Sequence, residues 1–240
     1  MSTKWELVSV ICIIFADQGA RIHSNESGIA IGYSYSVKFL GTILDFKLNW
    51  KSHIQKIHCK LSQACGVLYQ IRNKLTPTIS RIIYLTLILP YLNYCNVVWA
   101  SCPPSYLQSL TAIQNKIVRM ITKSRRTAPT SPLYAQLKIL TLTDIIKLST
   151  ALFVFKSLNG IIPSPIQFQP RVNGPYILRN LNPLIVPFSR SSQTQRFLHI
   201  RGATLWNTLH ANVRSARTIA SFKRNIKSVF LNSYIIRENI

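Results

Sequence analysis

The chain is poor in acid. Its 240 residues carry six Asp and Glu against 29 Lys and Arg, a formal net charge of +23. The acids are Glu6, Asp17, Glu26, Asp45, Asp144 and Glu238, and none is adjacent to another. A two-metal polymerase, nuclease or phosphatase needs converging carboxylates to hold ions about 3.5–4 Å apart, and a glycosidase needs two facing one bond. No recognisable motif here supplies either. So large an excess of cations repels itself unless a polyanion or bound counterions relieve it, so nucleic acid or an anionic membrane surface is the expected partner class.

Other absences narrow the class further. The five cysteines, Cys12, Cys59, Cys65, Cys95 and Cys102, are odd in number and form no Cys-x-x-Cys pair. A disulfide scaffold is not expected, and reduced thiols fit an intracellular protein, nuclear or cytoplasmic rather than secreted. His53, His58, Cys59 and Cys65 fall near one another, but they lack the usual zinc-ligand spacing and sit inside a helical pattern, so no metal site is assigned. No run reaches the roughly 20 apolar residues of a membrane span; Ile82–Leu89 is far shorter and Pro90 is expected to end it. Residues 7–15 loosely resemble a signal-peptide core, but Glu6 precedes them and a buried strand is the preferred reading. No internal repeat is visible.

What is present is periodicity. Ile29, Ile31, Val37 and Phe39 alternate as half-buried strands do, with a turn at residues 32–34, and the strand is expected to continue through Gly41 to Asp45. Ile54, Ile57, Leu61, Ala64, Leu68, Ile71 and Leu75 then repeat every three or four residues, the signature of an amphipathic helix. Asn49 or Ser52 can cap it and Pro77 stops it. Beside this stripe run His53, Lys56, Lys60, Gln63, Gln70 and Lys74. A second, apolar helix is expected from about Ile79 to Pro90 and to be buried. The aromatics of 91–99 read as core. A third helix follows Pro103-Pro104 with Leu107, Leu110, Ile113, Ile117, Met120 and Ile121 inward and Lys116, Arg119 and Lys123 along its end, then Arg125 and Arg126. A short helix over 131–139 and a longer one capped by Thr143 and stopped at Asn159-Gly160 come next. Six of twelve prolines lie between Pro163 and Pro187, which reads as a linker or surface arm. The tail predicts a turn or helix at 203–210 and a last helix capped by Thr218, with Ile219, Phe222, Ile226, Val229 and Phe230 on one side.

The fold expected is mainly α, with a small N-terminal β hairpin or sheet. A helical bundle is followed by a Pro-rich arm and C-terminal helices, over residues 1–45, 46–160, 161–200 and 201–240.

Several ordered segments resemble a known family. Val37-Lys38-Phe39-Leu40-Gly41-Thr42-Ile43-Leu44-Asp45 with Leu48-Asn49-Trp50-Lys51-Ser52-His53-Ile54 resembles the segment just after the palm in reverse transcriptases of non-LTR (LINE-type) retrotransposons, of the jockey and related clades. The likeness continues through Ile88-Leu89-Pro90-Tyr91-Leu92-Asn93-Tyr94-Cys95-Asn96-Val97-Val98-Trp99, Gln114-Asn115-Lys116, Arg201-Gly202-Ala203-Thr204-Leu205-Trp206 and Ser221-Phe222-Lys223-Arg224. The resemblance implies that residues 46 onward form the thumb and the region beyond it, and that Phe39, Leu40 and Gly41 sit in the hairpin approaching the primer end. It implies a truncated RNA-directed DNA polymerase that retains the nucleic-acid grip without the palm carboxylates. Phe15-Ala16-Asp17-Gln18 invites comparison with the family's (Phe/Tyr)-Ala-Asp-Asp turn, but Gln18 is a neutral amide and lies too close to Phe39. No catalytic residue is carried over, and no cofactor is expected; Mg2+ belongs only to the intact family enzyme.

The residues expected to contact nucleic acid are Lys51, Lys56, Lys60, Arg72, Lys74, Lys116, Arg119, Lys123, Arg125 and Arg126. Their expected partner is an RNA or DNA template–primer duplex, gripped non-specifically. The alternative is a basic structural or interaction protein of ribosomal or chromatin type, which shares the charge but not the ordered motifs.

Overall fold

The computed structural model describes residues 36–45, 47–164, 166–171 and 183–236. The strand expected over 7–15, the alternation at 29–31, the turn at 32–34 and Phe15–Gln18 lie outside the described residues. Among those described, the chain is mainly helical with one two-stranded antiparallel sheet near its start.

That sheet is a hairpin. Strands β1 (Ser36–Phe39) and β2 (Thr42–Asp45) pair in the register Ser36↔Asp45 to Phe39↔Thr42. Leu40 (φ 44°) and Gly41 (φ 88°) are both left-handed, as the two central residues of a type I′ turn must be. The strand expected to run on through Gly41 therefore reverses there, because positive φ at two successive residues matches the twist of a hairpin. Thr42 and Leu44 are the inward residues of β2.

Helix α1 (Lys51–Ile71) follows the hairpin. Its capping differs from expectation. Trp50, buried and left-handed (φ 62°), is the N-cap and makes no side-chain capping hydrogen bond to the helix; Asn49 instead donates its N–H to Asp45 Oδ1 at 2.8 Å. Packing of the Trp50 ring, with its Nε1 donating to Ser101 Oγ at 3.0 Å, takes precedence over a local cap. The expected apolar stripe buries Ile54, Ile57, Leu61 and Leu68, joined by Cys65 and His53. His53, assigned to the polar stripe by its spacing, is thus inside, against Trp50 and Trp99.

A turn of 3-10 helix (Arg72–Lys74) leads to α2 (Pro77–Ile83), capped by Thr76 with Pro77 in its first turn. The helix then widens into a π segment (Tyr84–Ile88) and continues as α3 (Leu89–Asn93). Pro90 does not end it. Pro90 has no N–H for the Thr86 carbonyl, and the helix absorbs this by shifting register, Leu89 N–H reaching back five residues to Tyr84 O. Nor is this stretch buried all round: Tyr84, Ile88 and Leu92 are inside, while Ile79, Ile82, Leu87 and Tyr91 are exposed. Its run of apolar residues carries no polar face to signal which side would turn to solvent.

Helices α4 (Asn96–Trp99), α5 (Pro104–Ile121), α6 (Thr130–Leu137) and α7 (Leu142–Leu158) complete the first body. Thr141, not Thr143, caps α7, accepting from Asp144 N while its hydroxyl donates to Asp144 Oδ2. Gln114 on α5 is fully buried and satisfied: its amide donates to Tyr84 Oη (2.8 Å) and Leu140 O (3.0 Å), and its carbonyl accepts from Leu142 N (2.8 Å). One side chain thereby fixes the π segment, α5 and the start of α7, and a complete polar network specifies their arrangement.

Helix α7 serves two cores. Leu142, Ile145 and Ile146 join the core built by the hairpin and α1–α6; Ala151, Phe153, Val154 and Phe155 join a second. A helix surrounded at both ends has little polar face, which explains its apolar sequence. It ends in a Schellman turn at Gly160 (φ 63°), where Ile161 N–H reaches Lys156 O.

After the short α8 (Ser192–Gln195), which buries no residue, the second core gathers α9 (Leu198–Thr208), α10 (Ala211–Arg214) and α11 (Ile219–Ile236) around Trp206, Phe155 and Phe222, the last two stacked at 4.6 Å. The Pro-rich stretch contributes to it directly. Ile162, Phe168 and Leu184 are buried, Pro170 and Leu184 bridge in antiparallel fashion, and Asn207 grips the Leu184 backbone at both N–H and C=O. Thr218 caps α11, accepting from Ser221 N at 3.1 Å. Val229 is half-exposed rather than inward. Tyr234 returns α11 to the first core, donating to Asp144 and accepting from Thr141 N. No helix of the described residues is long and apolar enough to cross a membrane.

Candidate nucleic-acid interface

The packing of α1 on α5 decides where the cations fall. Lys116, Arg119 and Lys123 succeed one another at three- and four-residue intervals, so α5 and its end present them along one side. Helix α5 ends in a Schellman turn: Ser124 N–H donates to Arg119 O (2.9 Å) and Lys123 N–H to Met120 O (3.2 Å). Lys123 occupies the left-handed position (φ 55°) where glycine is usual. The turn carries Ser124 and Arg126 back beside the helix. From the other side comes the end of α1 and its 3-10 extension, with Tyr69, Arg72 and Asn73.

These residues line one groove of about 780 Å³, completed by Ala112 and Met120. Five of its lining residues are cations, Arg72, Lys116, Arg119, Lys123 and Arg126, and none is an acid. Lys116, Lys123 and Arg126 are exposed; Arg72 and Arg119 are half-buried. Arg119 is fixed by Nε donating to Ala128 O at 2.9 Å, and the Arg72 guanidinium lies over the Tyr69 ring, 3.8 Å from its centroid. Such a concavity focuses positive potential, and preset cations lose less freedom when they meet a phosphate.

The structure thus brings together five of the ten cations singled out by sequence. The rest lie elsewhere. Lys51, Lys60, Lys74 and Arg125 are exposed and do not line the groove. Lys56 is tied to the hairpin, its Nζ donating to Gly41 O at 3.0 Å. Tyr94 Oη donates to Leu40 O, so the Phe39-Leu40-Gly41 tip is held against the body from two sides.

Other cations serve the fold. Arg81 Nε donates to Leu137 O (2.7 Å), Arg196 Nε to Ser101 O (3.1 Å) and Arg201 Nη2 to Val97 O (2.8 Å). Burial pushes Arg201 down to about 10 and the neighbouring Cys102 thiol up to about 11. Burial, then the Lys56 charge, holds His53 down to about 4, so it is neutral at physiological pH. Among the described residues, no group of three or more His, Cys, Asp or Glu comes together to hold a metal.

Sequence reasoning missed Tyr69, Asn73 and Ser124. The available signal was an aromatic three residues before Arg72, the spacing that stacks two side chains on one helical face.

No protein-family model matches the chain, and no solved structure matches it. It is similar to the probable RNA-directed DNA polymerase from transposon X-element of Drosophila melanogaster, 29% identical over 112 residues, which is 45% of this chain. The match spans 12% of that polymerase's length. Part of the chain is therefore related to a region of a transposon RNA-directed DNA polymerase.

Proposed function

We propose that the chain is the thumb and downstream region of a non-LTR, jockey-like retrotransposon reverse transcriptase, and that it grips an RNA or DNA template–primer duplex by non-specific contacts to the phosphate backbone. The observation that carries this is the groove where Arg72, Lys116, Arg119, Lys123 and Arg126 converge without a carboxylate. The similarity to the X-element polymerase supports the origin.

Ammonium and guanidinium groups replace condensed counterions on the phosphates, and the released ions drive association. Backbone contacts position a duplex without reading its sequence. The chain alone is proposed to carry no polymerase chemistry. The described residues supply two carboxylates, each engaged locally: Asp45 accepts from Asn49 N and Asp144 from Thr141 Oγ1 and Tyr234 Oη. These do not fit a two-metal site, and no metal-dependent step is assigned to them.

The test is mobility shift of an RNA–DNA duplex across a salt series. The log–log slope is expected near −0.9 per phosphate neutralised on a duplex. Replacing Lys116, Lys123 and Arg126 with Gln is expected to make that slope shallower by about one for each cation that meets a phosphate. Absence of retardation at low salt, or an affinity indifferent to salt, overturns the proposal. Tight preference for one sequence or complex favours a ribosomal or chromatin component instead. Primer extension with Mg2+ is expected to stay at background.

A further inference from the structure

The groove has a feature that backbone gripping does not require. Tyr69 is 58% exposed, and the Arg72 guanidinium lies over its ring. An aromatic ring left this open beside five cations has a π face available and phosphate-binding groups within the same concavity. The size is also informative. A groove of about 780 Å³ falls in the range of a small-ligand site, roughly 300–1,000 Å³. It accommodates a few nucleotides of one strand, whereas a double helix meets only its rim.

We propose that this groove takes single-stranded nucleic acid, one base stacking on the open face of Tyr69 or the outer face of the Arg72 guanidinium, and the flanking phosphates meeting Lys116, Lys123 and Arg126. This deepens, and rests on, the nucleic-acid reading above. Bases present a π face whatever their identity, so stacking between a ring or guanidinium and an unpaired base is sequence-tolerant. The pair is pre-assembled, since Arg72 already lies over the ring. Asn73 and Ser124 in the lining add neutral hydrogen-bonding groups for base edges or a ribose hydroxyl. In a duplex the bases are stacked on each other, and only the groove's rim cations meet its backbone.

The experiment uses the full chain and fluorescence anisotropy. One probe is an end-labelled single-stranded oligonucleotide and the other a blunt duplex with the same number of phosphates, at one ionic strength. The single strand is expected to bind more tightly than the duplex. Tyr69→Ala is expected to lower the ratio of single-strand to duplex affinity by roughly tenfold or more, the effect typical of losing one base stack. Tyr69→Phe is expected to preserve it, because the ring and not the hydroxyl is used. Quenching of a 2-aminopurine base in the strand is expected on binding, and its loss in Tyr69→Ala. Because Tyr69 is exposed on a helix surface, Ala there leaves the core intact, and circular dichroism checks this. Binding of both probes with an unchanged ratio in Tyr69→Ala overturns the single-strand assignment and leaves the backbone-gripping proposal standing. Failure of both probes to bind at low salt overturns both. Displacement by inositol hexakisphosphate with equal potency in wild type and Tyr69→Ala, without base quenching, identifies a simple anion site and overturns the assignment.

Discussion

His53 lies in the first turn of α1, on the side its spacing assigns to the polar stripe, yet it is packed between Trp50 and Trp99. Its Nδ1 accepts from Ile43 N at 3.4 Å, a long bond, and Nε2 finds no partner among the described residues. The imidazole is therefore buried in its neutral form, and its proton affinity in the fold is low, about 4 against an ordinary 6.5. The sign of the consequence is fixed. Between pH 6.5 and 4 the unfolded chain takes up a proton that the folded chain refuses. Stability contributed by His53 is therefore full above 6.5 and declines as pH falls to about 4. The span corresponds to about 3 kcal/mol at most. Urea unfolding at pH 7.5 and at pH 5 is expected to show a clear loss at the lower pH, and His53→Leu is expected to flatten the difference. Equal stability of the wild type at the two pH values contradicts this account.

At the scale of elements, two close fits carry opposite expectations. Helix α9 approaches α7 across Gly202, where an added Cβ lies 3.0 Å from both Val154 Cγ2 and Phe168 Cε1. Gly202→Ala gains helix propensity worth about 1 kcal/mol. Overpacking costs about 1–3 kcal/mol, since the neighbours are core side chains on a helix and on the folded-in arm. A net loss of about 1 kcal/mol is expected, read as a lowered midpoint in chemical denaturation. At the end of α5, Lys123 holds a left-handed residue in the Schellman turn. Lys123→Gly relieves a strain of roughly 1 kcal/mol or more while removing a groove cation. The variant is expected to be more stable and to bind duplex more weakly, with thermal unfolding rising as the affinity falls. A change of both in the same direction refutes the idea that this position trades backbone strain for charge placement.

The whole molecule joins two cores through α7 and carries a large excess of one charge. Beyond Asp45 the sequence holds 26 Lys and Arg against two acids, and among the described residues Lys147–Asp144 is the one ion pair within 4.0 Å. Mutual repulsion therefore opposes the compact state, and ions that screen it should help. Raising ionic strength from about 20 to about 200 mM shortens the Debye length roughly threefold, and is expected to raise the melting temperature. Heparin at low salt should raise it further, because a bound polyanion favours the folded state by mass action. Gln at Lys116, Lys123 and Arg126 together should raise the low-salt melting temperature and blunt the heparin effect. A melting temperature indifferent to both salt and polyanion removes the argument from repulsion.

Much of the architecture was legible in the chain itself. Helical period in 54–71 and 107–121, Pro77, the Asn159-Gly160 stop and Thr218 mark elements observed nearly where local rules put them, because side-chain spacing and caps act within a few residues. The excess of cations and the scarcity of acid frame the expected partner class without reference to packing. Other features depended on distant neighbours. Whether Ile79 and Ile82 face out, how the helix passes Pro90, and why His53 is inside are settled by which surfaces of α5, α7 and the two Trp rings arrive beside them. Arg119 and Lys56 look alike in sequence, yet one borders the groove and the other braces a hairpin. The sequence by itself determined the helices and the positive charge, since both arise from residue type and short-range spacing. Only the tertiary structure decided which five cations share a groove with Tyr69, since that requires residues about 40–60 positions apart to be brought together by the burial of α1 against α5.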